Sequence, residues 1–276
     1  MKFKTFTMVC GLAVCLLTQT AVAGQFEDGR AAYDRGDYAT ALKLLRPLAE
    51  QGDAVAESNL GFMYANGQGV PRDYGEAVKW YRLAAHQGYP EARYSLGFMY
   101  ANGLGLPQDD VEAVKWFRLA ADQDHAAAQG ILGAMYAIGR GVLQDYPEAL
   151  RWYRLAADLG DVVSQRNLGT MYFNGWGVQE DDAEAMKWYR KAADQGEPQA
   201  QYYLGAMYAI GRGVPQDFIR SHMWSSLAAA GYPPSETRSS DAAVEQRDEV
   251  ATLMTSDQIA EAKRLAQEWI AAHPKK

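Results

Sequence analysis

The sequence predicts an all-α fold, an α/α superhelical solenoid of antiparallel helix pairs. Three observations predict it. A set of residues recurs with a period of 36 along the chain. Each period contains two segments with the apolar spacing of a helix, and glycines separate these two segments. Repeats of this length stack on one another because a single helix pair cannot bury its own apolar face.

The period is visible at positions that hold one residue type in all five copies. The leucines are Leu60, Leu96, Leu132, Leu168 and Leu204. The tryptophans are Trp80, Trp116, Trp152, Trp188 and Trp224. Glycine, methionine, tyrosine and aspartate recur in the same phase, which indicates that the copies share one structure.

Each copy is predicted to contain two helices joined by a glycine loop. The first runs from about Ala54 to Asn66, and Gly67 and Gly69 end it because they accept positive φ. The second begins near Asp73. Asp followed by Glu three residues later has the spacing of a capping box, and four copies carry it: Asp73/Glu76, Asp109/Glu112, Asp145/Glu148 and Asp181/Glu184.

A glycine lies inside every first helix, as Gly61 does in the first copy. A mid-helix glycine costs about 1 kcal/mol relative to alanine. The sequence therefore predicts that a Trp or Tyr of the neighbouring helix packs against the glycine backbone and offsets this cost.

The repeated residues resemble the Sel1-like repeat family, which is related to the tetratricopeptide repeats. The resemblance covers roughly residues 53–231. In the first copy it is carried by Leu60-Gly61-x-Met63-Tyr64-x-x-Gly67-x-Gly69-Val70, Asp73, Glu76-Ala77, Lys79-Trp80-Tyr81 and Ala84-Ala85. It implies that the first helices line a concave groove and that the groove binds protein or peptide partners.

The predicted organisation is a signal peptide, a helix pair, five repeats and a cap. The ranges are 1–23 for the signal peptide, 24–52 for a tetratricopeptide-like N-terminal helix pair, 53–88, 89–124, 125–160, 161–196 and 197–231 for the Sel1-like repeats, and 232–276 for a linker and C-terminal capping helices.

The first 23 residues have the pattern of an export signal. Lys2 and Lys4 precede the apolar run Phe6–Leu17, and Ala21-Val22-Ala23 is a small-x-small cleavage sequence. We expect cleavage near Ala23 and a periplasmic or secreted protein. The alternatives are an uncleaved anchor and a lipoprotein acylated at Cys15. Cleavage would remove both cysteines and leave no disulfide.

The sequence contains no motif that predicts an enzyme. It has no G-x-S-x-G, no Walker lysine, and neither the S-x-x-K nor the K-T-G of β-lactamases. The four histidines lack metal-ligand spacing. We expect no catalytic residue, no metal and no cofactor. The net charge of −7 argues against a nucleic-acid partner. No later segment predicts an integral membrane span.

A partner is expected to contact positions that vary between copies. On the first helices these are Ser58, Phe62, Asn66, Tyr94, Phe98, Asn102, Arg166, Thr170, Asn174 and Tyr202. The repeat over 161–196 adds two departures from its siblings. Phe173 stands where the others have Ala, and Trp176 lies within the glycine loop. Trp176 either anchors a partner or seals the adjacent loop.

The function predicted first is an exported, non-catalytic scaffold that holds protein partners and acts as a monomer. The alternative is a cell-wall carbohydrate-binding module in which Tyr94, Tyr202 and Trp176 stack on sugars. A hydrolase of β-lactamase type ranks below both.

Overall fold

The computed structural model describes residues 24–274, so the expected signal peptide over 1–23 lies outside the described residues. Within that range the chain forms fourteen α-helices and no strand, which confirms the predicted all-α class. It divides into two compact units, the first ending at His125 and the second beginning at Ala126.

The first unit contains six helices. They are α1 over 24–34, α2 (Tyr38–Glu50), α3 (Ala54–Asn66), α4 (Tyr74–His86), α5 (Pro90–Asn102) and α6 (Asp110–Ala121). From α2 to α6, consecutive helices pack against each other. The buried side chains come from both members of each pair, with leucines and methionines from the first helices and alanines and aromatics from the second.

The second unit contains eight helices. They are α7 (Ala126–Ile138), α8 (Tyr146–Asp158), α9 (Val162–Asn174), α10 (Asp182–Asp194), α11 (Pro198–Ile210), α12 (Phe218–Gly231), α13 (Thr237–Ala251) and α14 (Ser256–Ala272). From α7 to α12, consecutive helices pack against each other, and α13 and α14 both pack against α12. Trp269 of α14 packs edge-on against Trp224 of α12.

The predicted first helix of the repeat is confirmed, since α3 runs from Ala54 to Asn66. Gly67 and Gly69 have φ of +70° and +72°, so both occupy the left-handed region that glycine favours. Asp73 caps the next helix by accepting from the backbone N–H of Glu76 at 3.0 Å. The apolar periodicity therefore locates both helices and the loop between them.

The capping-box prediction is wrong for the glutamates. The backbone N–H of Asp73 already donates to the carbonyl of Tyr64, at 3.0 Å, so Glu76 has no donor to reach back to. Glu76 instead pairs with Lys79. In three other copies the aspartate N–H likewise donates to a tyrosine carbonyl, and the glutamate pairs with a lysine or arginine three residues later. These copies are Asp109/Glu112, Asp145/Glu148 and Asp181/Glu184. A full capping box is formed at the start of α14, by Thr255 and Gln258.

The mid-helix glycines confirm the predicted close approach, with one refinement. A Cβ on Gly61 would lie 2.7 Å from the ring of Tyr81, and one on Gly169 would lie 2.5 Å from the ring of Tyr189. The ring belongs to the residue after the repeated tryptophan, not to the tryptophan itself. In the last copy Ser225 and Gln246 take the place of the ring beside Gly205.

Glu57 is a buried carboxylate at a position where three later copies have glutamine, as Gln129, Gln165 and Gln201. It is 3% exposed and accepts from Gln87 at 2.8 Å. Gln165, in the same repeat position, accepts from Gln195 and also donates to the carbonyl of Ala157, at 3.2 Å. Burial raises the pKa of Glu57. An ionised carboxylate cannot make the donation that the glutamine makes.

Glu57→Gln is therefore expected to raise the free energy of unfolding by about 1 kcal/mol at pH 7. The folded-state pKa of Glu57 lies above its unfolded value, so protonation stabilises the native protein. The advantage of the variant should shrink as pH falls toward about 4, where the wild-type carboxyl is protonated. Urea unfolding at several pH values measures this. The reverse change, Gln165→Glu, is the matched control and should destabilise.

Candidate functional site

Five of the predicted site residues lie on exposed parts of the first helices. They are Phe62, Asn66, Phe98, Asn102 and Asn174. Phe62 and Phe98 are each 45% exposed, which is unusual for large apolar rings. Each asparagine donates its amide to the carbonyl four residues earlier, at 2.8 Å. That bond fixes the side chain and leaves Oδ1 as an acceptor.

One repeat position that the sequence predicts to face away from the packed stripe is only partly accessible in the structure. Its site residues are Ser58, Tyr94, Arg166 and Tyr202. Ser58 is buried, at 8% exposure, and the other three are half-buried. Arg166 donates to Gln199 and lies 3.7 Å from Glu197, both at the start of α11. The position therefore lies where one first helix approaches the next.

Four predicted site residues converge on a single cavity in the second unit. Thr170, Phe173 and Asn174 come from α9, and Trp176 comes from the loop that follows it. The cavity has a volume of about 330 Å³. Its other lining residues are Tyr189, Tyr203, Ala206, Met207 and Ile210. We call this cavity the α9–α11 pocket.

Trp176 forms part of the wall of the pocket and also packs on the preceding repeat. Its ring stacks on Tyr146, the first residue of α8, with ring centroids 5.6 Å apart and planes 17° apart. It nevertheless remains 43% exposed. The two interpretations of Trp176 are therefore compatible, since one face seals the loop while the residue still lines an open cavity.

Phe173 is held by a charged cluster behind the pocket. The guanidinium carbon of Arg212 lies 3.8 Å from the centroid of the Phe173 ring, within the range of a cation–π contact. Arg212 also donates to the carbonyl of Phe173 at 3.0 Å. Two carboxylates, Glu180 at 2.6 Å and Asp182 at 2.7 Å, balance this one guanidinium.

Hydrogen bonds fix the polar side of the pocket. The hydroxyl of Tyr189 donates to Thr170 Oγ1 at 3.1 Å, and its ring lies 5.0 Å from that of Tyr203. Gln199 donates to the hydroxyl of Tyr203 at 3.0 Å. Burial raises the pKa of Tyr189, so its hydroxyl remains a neutral donor at physiological pH. The walls are therefore set before any ligand arrives.

Tyr202 does not line this pocket, and its neighbour Tyr203 does. The sequence held a signal for Tyr203, because the corresponding positions in the other copies are Asn59, Ser95, Ile131 and Asn167. An aromatic ring at a position otherwise small, polar or aliphatic marks a local change. Met207 gave no such signal, since methionine occupies that position in every copy.

The described residues contain no group of three or more His, Cys, Asp or Glu side chains placed to hold a metal ion. His222 is 4% exposed, and burial lowers its pKa. The hydroxyl of Ser226 beside it donates to the backbone carbonyl of His222, at 2.8 Å. This pair is therefore engaged in helix packing. No helix among residues 24–274 is both long and apolar enough to cross a membrane.

The chain belongs to the Sel1 repeat family. The family model, described as "Sel1 repeat", matches six consecutive segments: 21–53, 54–89, 90–125, 126–161, 162–197 and 198–231. The first of these is the segment that resembles a tetratricopeptide unit. No curated protein matches the sequence.

Solved structures that share the fold include two with at least 30% sequence identity. One is c5321, a protective antigen present in uropathogenic Escherichia coli strains and displaying an SLR fold. It is 38% identical, with a TM-score of 0.76, and the match covers 94% of this chain and 55% of that one. This chain thus spans about half of that protein. The other is a Sel1 repeat protein from Oxalobacter formigenes, which is 30% identical with a TM-score of 0.75. That match covers 91% of this chain and 97% of the Oxalobacter protein.

These likenesses confirm the Sel1-like repeat solenoid as the fold class. Sel1 repeat proteins bind protein partners. Exposed aromatic rings beside a preformed cavity are the kind of surface that such binding uses.

Proposed function

We propose that this chain is an exported, non-catalytic scaffold that binds a protein partner through the α9–α11 pocket. The observation that carries the proposal is the exposure of apolar side chains around a preformed cavity. Trp176 is 43% exposed and Ile210 is 64% exposed. Large apolar side chains that line a concave site gain affinity when a partner excludes water from them.

The composition of the pocket supports a protein side chain over a sugar. Its lining is mainly aromatic and aliphatic, with polar groups only at Thr170, Asn174 and the tyrosine hydroxyls. Carbohydrate binding was predicted to use Tyr94, Tyr202 and Trp176, and neither tyrosine lines the pocket. Tyr94 stacks on His125 in the first unit, with ring centroids 4.7 Å apart.

Phe173→Ala/Trp176→Ala is expected to weaken binding of a purified partner by about 30-fold or more, equivalent to about 2 kcal/mol. The partner would first be identified by capture from the envelope fraction, then titrated against each variant by calorimetry. Leu143→Ala is the matched control, since Leu143 is 90% exposed and does not line the pocket. It should leave affinity unchanged. A double variant that unfolds earlier yet binds equally well would show that the two aromatics serve only the fold.

Export is part of the same proposal and rests on the Lys2/Lys4 start and the Ala21-Val22-Ala23 sequence. We expect the protein recovered from the periplasm or the medium to begin at Gly24 and to carry no lipid. Intact-mass measurement distinguishes this product from a chain that retains its first residues or is acylated at Cys15.

A further inference from the structure

One repeat position that lines the α9–α11 pocket changes size along the chain. Ala206 lines the pocket, and the two earliest copies place Phe62 and Phe98 at the same repeat position. The last copy thus has a smaller side chain there than the two earliest copies, as do the two middle copies with Ala134 and Thr170. The cavity of about 330 Å³ stands beside the small side chain.

The walls around this hollow are larger than in the sibling repeats. Phe173 replaces an alanine, and Trp176 and Tyr203 replace smaller or more polar side chains. These rings come from α9, the loop after it and α11, and they lie around the small side chain of Ala206. A cavity enclosed in this way by aromatic side chains suits an aromatic ring from another chain, because offset and edge contacts between rings are favourable.

An acidic segment lies next to Arg212, the arginine that packs on Phe173 in the wall of the pocket. The segment 180–184 contains Glu180, Asp181, Asp182 and Glu184. Arg212 pairs with Glu180 and Asp182, and Lys187 pairs with Glu184, so the cluster keeps a net negative charge. Glu180 remains 60% exposed. Exposed carboxylates close to an apolar site favour a partner that carries positive charge next to its anchor.

The site already shows the contact that such a partner would make. Arg212 places its guanidinium on the ring of Phe173 while its nitrogens donate to carboxylates. A basic side chain from a partner can meet the same two elements, a ring face and an exposed carboxylate, at Trp176 and Glu180.

We propose that the α9–α11 pocket takes the aromatic side chain of a partner segment whose neighbouring residues are lysine or arginine. This inference rests on the proposed function and specifies the chemistry of the partner. The ring enters the space beside Ala206, and the basic residues lie along the acidic segment 180–184.

The test uses three fluorescein-labelled peptides and the full chain, with binding measured by anisotropy. One peptide has a central Phe flanked by lysines, the second has the same Phe flanked by glutamates, and the third has Ser flanked by lysines. The Phe–lysine peptide should bind at least about tenfold more tightly than either of the others. Its advantage over the glutamate peptide should shrink in about 0.5 M salt.

Two variants locate the binding. Ala206→Phe fills the pocket with a residue that two sibling repeats tolerate at this position, so it should fold normally and lose the Phe–lysine peptide. Glu180→Gln should keep the peptide but reduce the preference for lysine over glutamate flanks. Circular dichroism melts of both variants establish that they are folded.

Three results would overturn the inference. Equal affinity for lysine- and glutamate-flanked peptides would remove the charge preference, while the pocket could still bind protein. Equal affinity for the Ser and Phe peptides would show plain electrostatic attraction. Full binding by Ala206→Phe would place the peptide elsewhere. The proposed function is judged separately, by the affinity of the purified partner for Phe173→Ala/Trp176→Ala.

Discussion

Trp224→Ala is expected to cost about 3–5 kcal/mol of unfolding free energy. Trp224 is completely buried in the second unit, where its ring lies 5.9 Å from that of Trp269. The guanidinium carbon of Arg190 lies 4.7 Å from its centroid. Removing the indole leaves a large cavity among helices that are packed on both sides, so the surroundings cannot collapse to fill it.

Trp269→Ala is the matched control for this experiment. Trp269 belongs to the same unit and touches the same ring, but it is half-buried and lies on the terminal helix α14. A terminal helix has packing neighbours on one side only, so the loss should be smaller. Urea unfolding followed by circular dichroism measures both. Equal losses at the two tryptophans would argue against a stack in which α14 is the end.

The helices were predictable because each copy repeats the same local sequence signals. An aspartate before the second helix, glycines after the first and apolar residues three and four apart are sufficient to place α3 and α4. These signals act within a few residues. Five copies of them in phase leave little room for another arrangement.

How deeply each side chain is buried was less predictable, because burial depends on how the neighbouring repeat packs. The sequence treats the five repeated tryptophans as equivalent, yet Trp80 and Trp116 are half-buried while Trp152, Trp188 and Trp224 are buried. Ser58 was expected to be exposed to solvent, and it is buried. Helical periodicity gives a direction around one helix axis, and it does not state how closely the next helix approaches.

For the same reason, the sequence indicated only some of the residues that line the pocket. Phe173 and Trp176 stood out as departures from the repeat and are found together in its wall. Tyr189, which completes the wall, has a tyrosine at the same position in two other copies, Tyr81 and Tyr153. Only the three-dimensional packing shows that a shared residue and a departure line one cavity.

Gly105→Ala is expected to cost about 3 kcal/mol, as the sum of backbone strain and overlap. Gly105 lies in the loop after α5 with φ of +71°, where a side chain is strained. An added Cβ would also lie 2.3 Å from the carbonyl oxygen of Tyr74 and 2.9 Å from the nitrogen of Gly75. These are backbone atoms at the start of α4, so the contact cannot be relieved by a rotamer change. The loop glycine therefore joins one repeat to the next.

Two other alanine substitutions in the first unit separate these effects. Gly52 has φ of +89° but open space around it, so Gly52→Ala should cost only the strain of about 1–2 kcal/mol. Gly75 lies within α4 with normal helical φ, and Ala183 occupies its repeat position in a later copy. Gly75→Ala should therefore stabilise by about 0.5–1 kcal/mol. Thermal and urea melts should rank the three variants in that order. If Gly105→Ala cost no more than Gly52→Ala, the contact with Tyr74 would contribute nothing, and the loop would be joined to α4 by other groups.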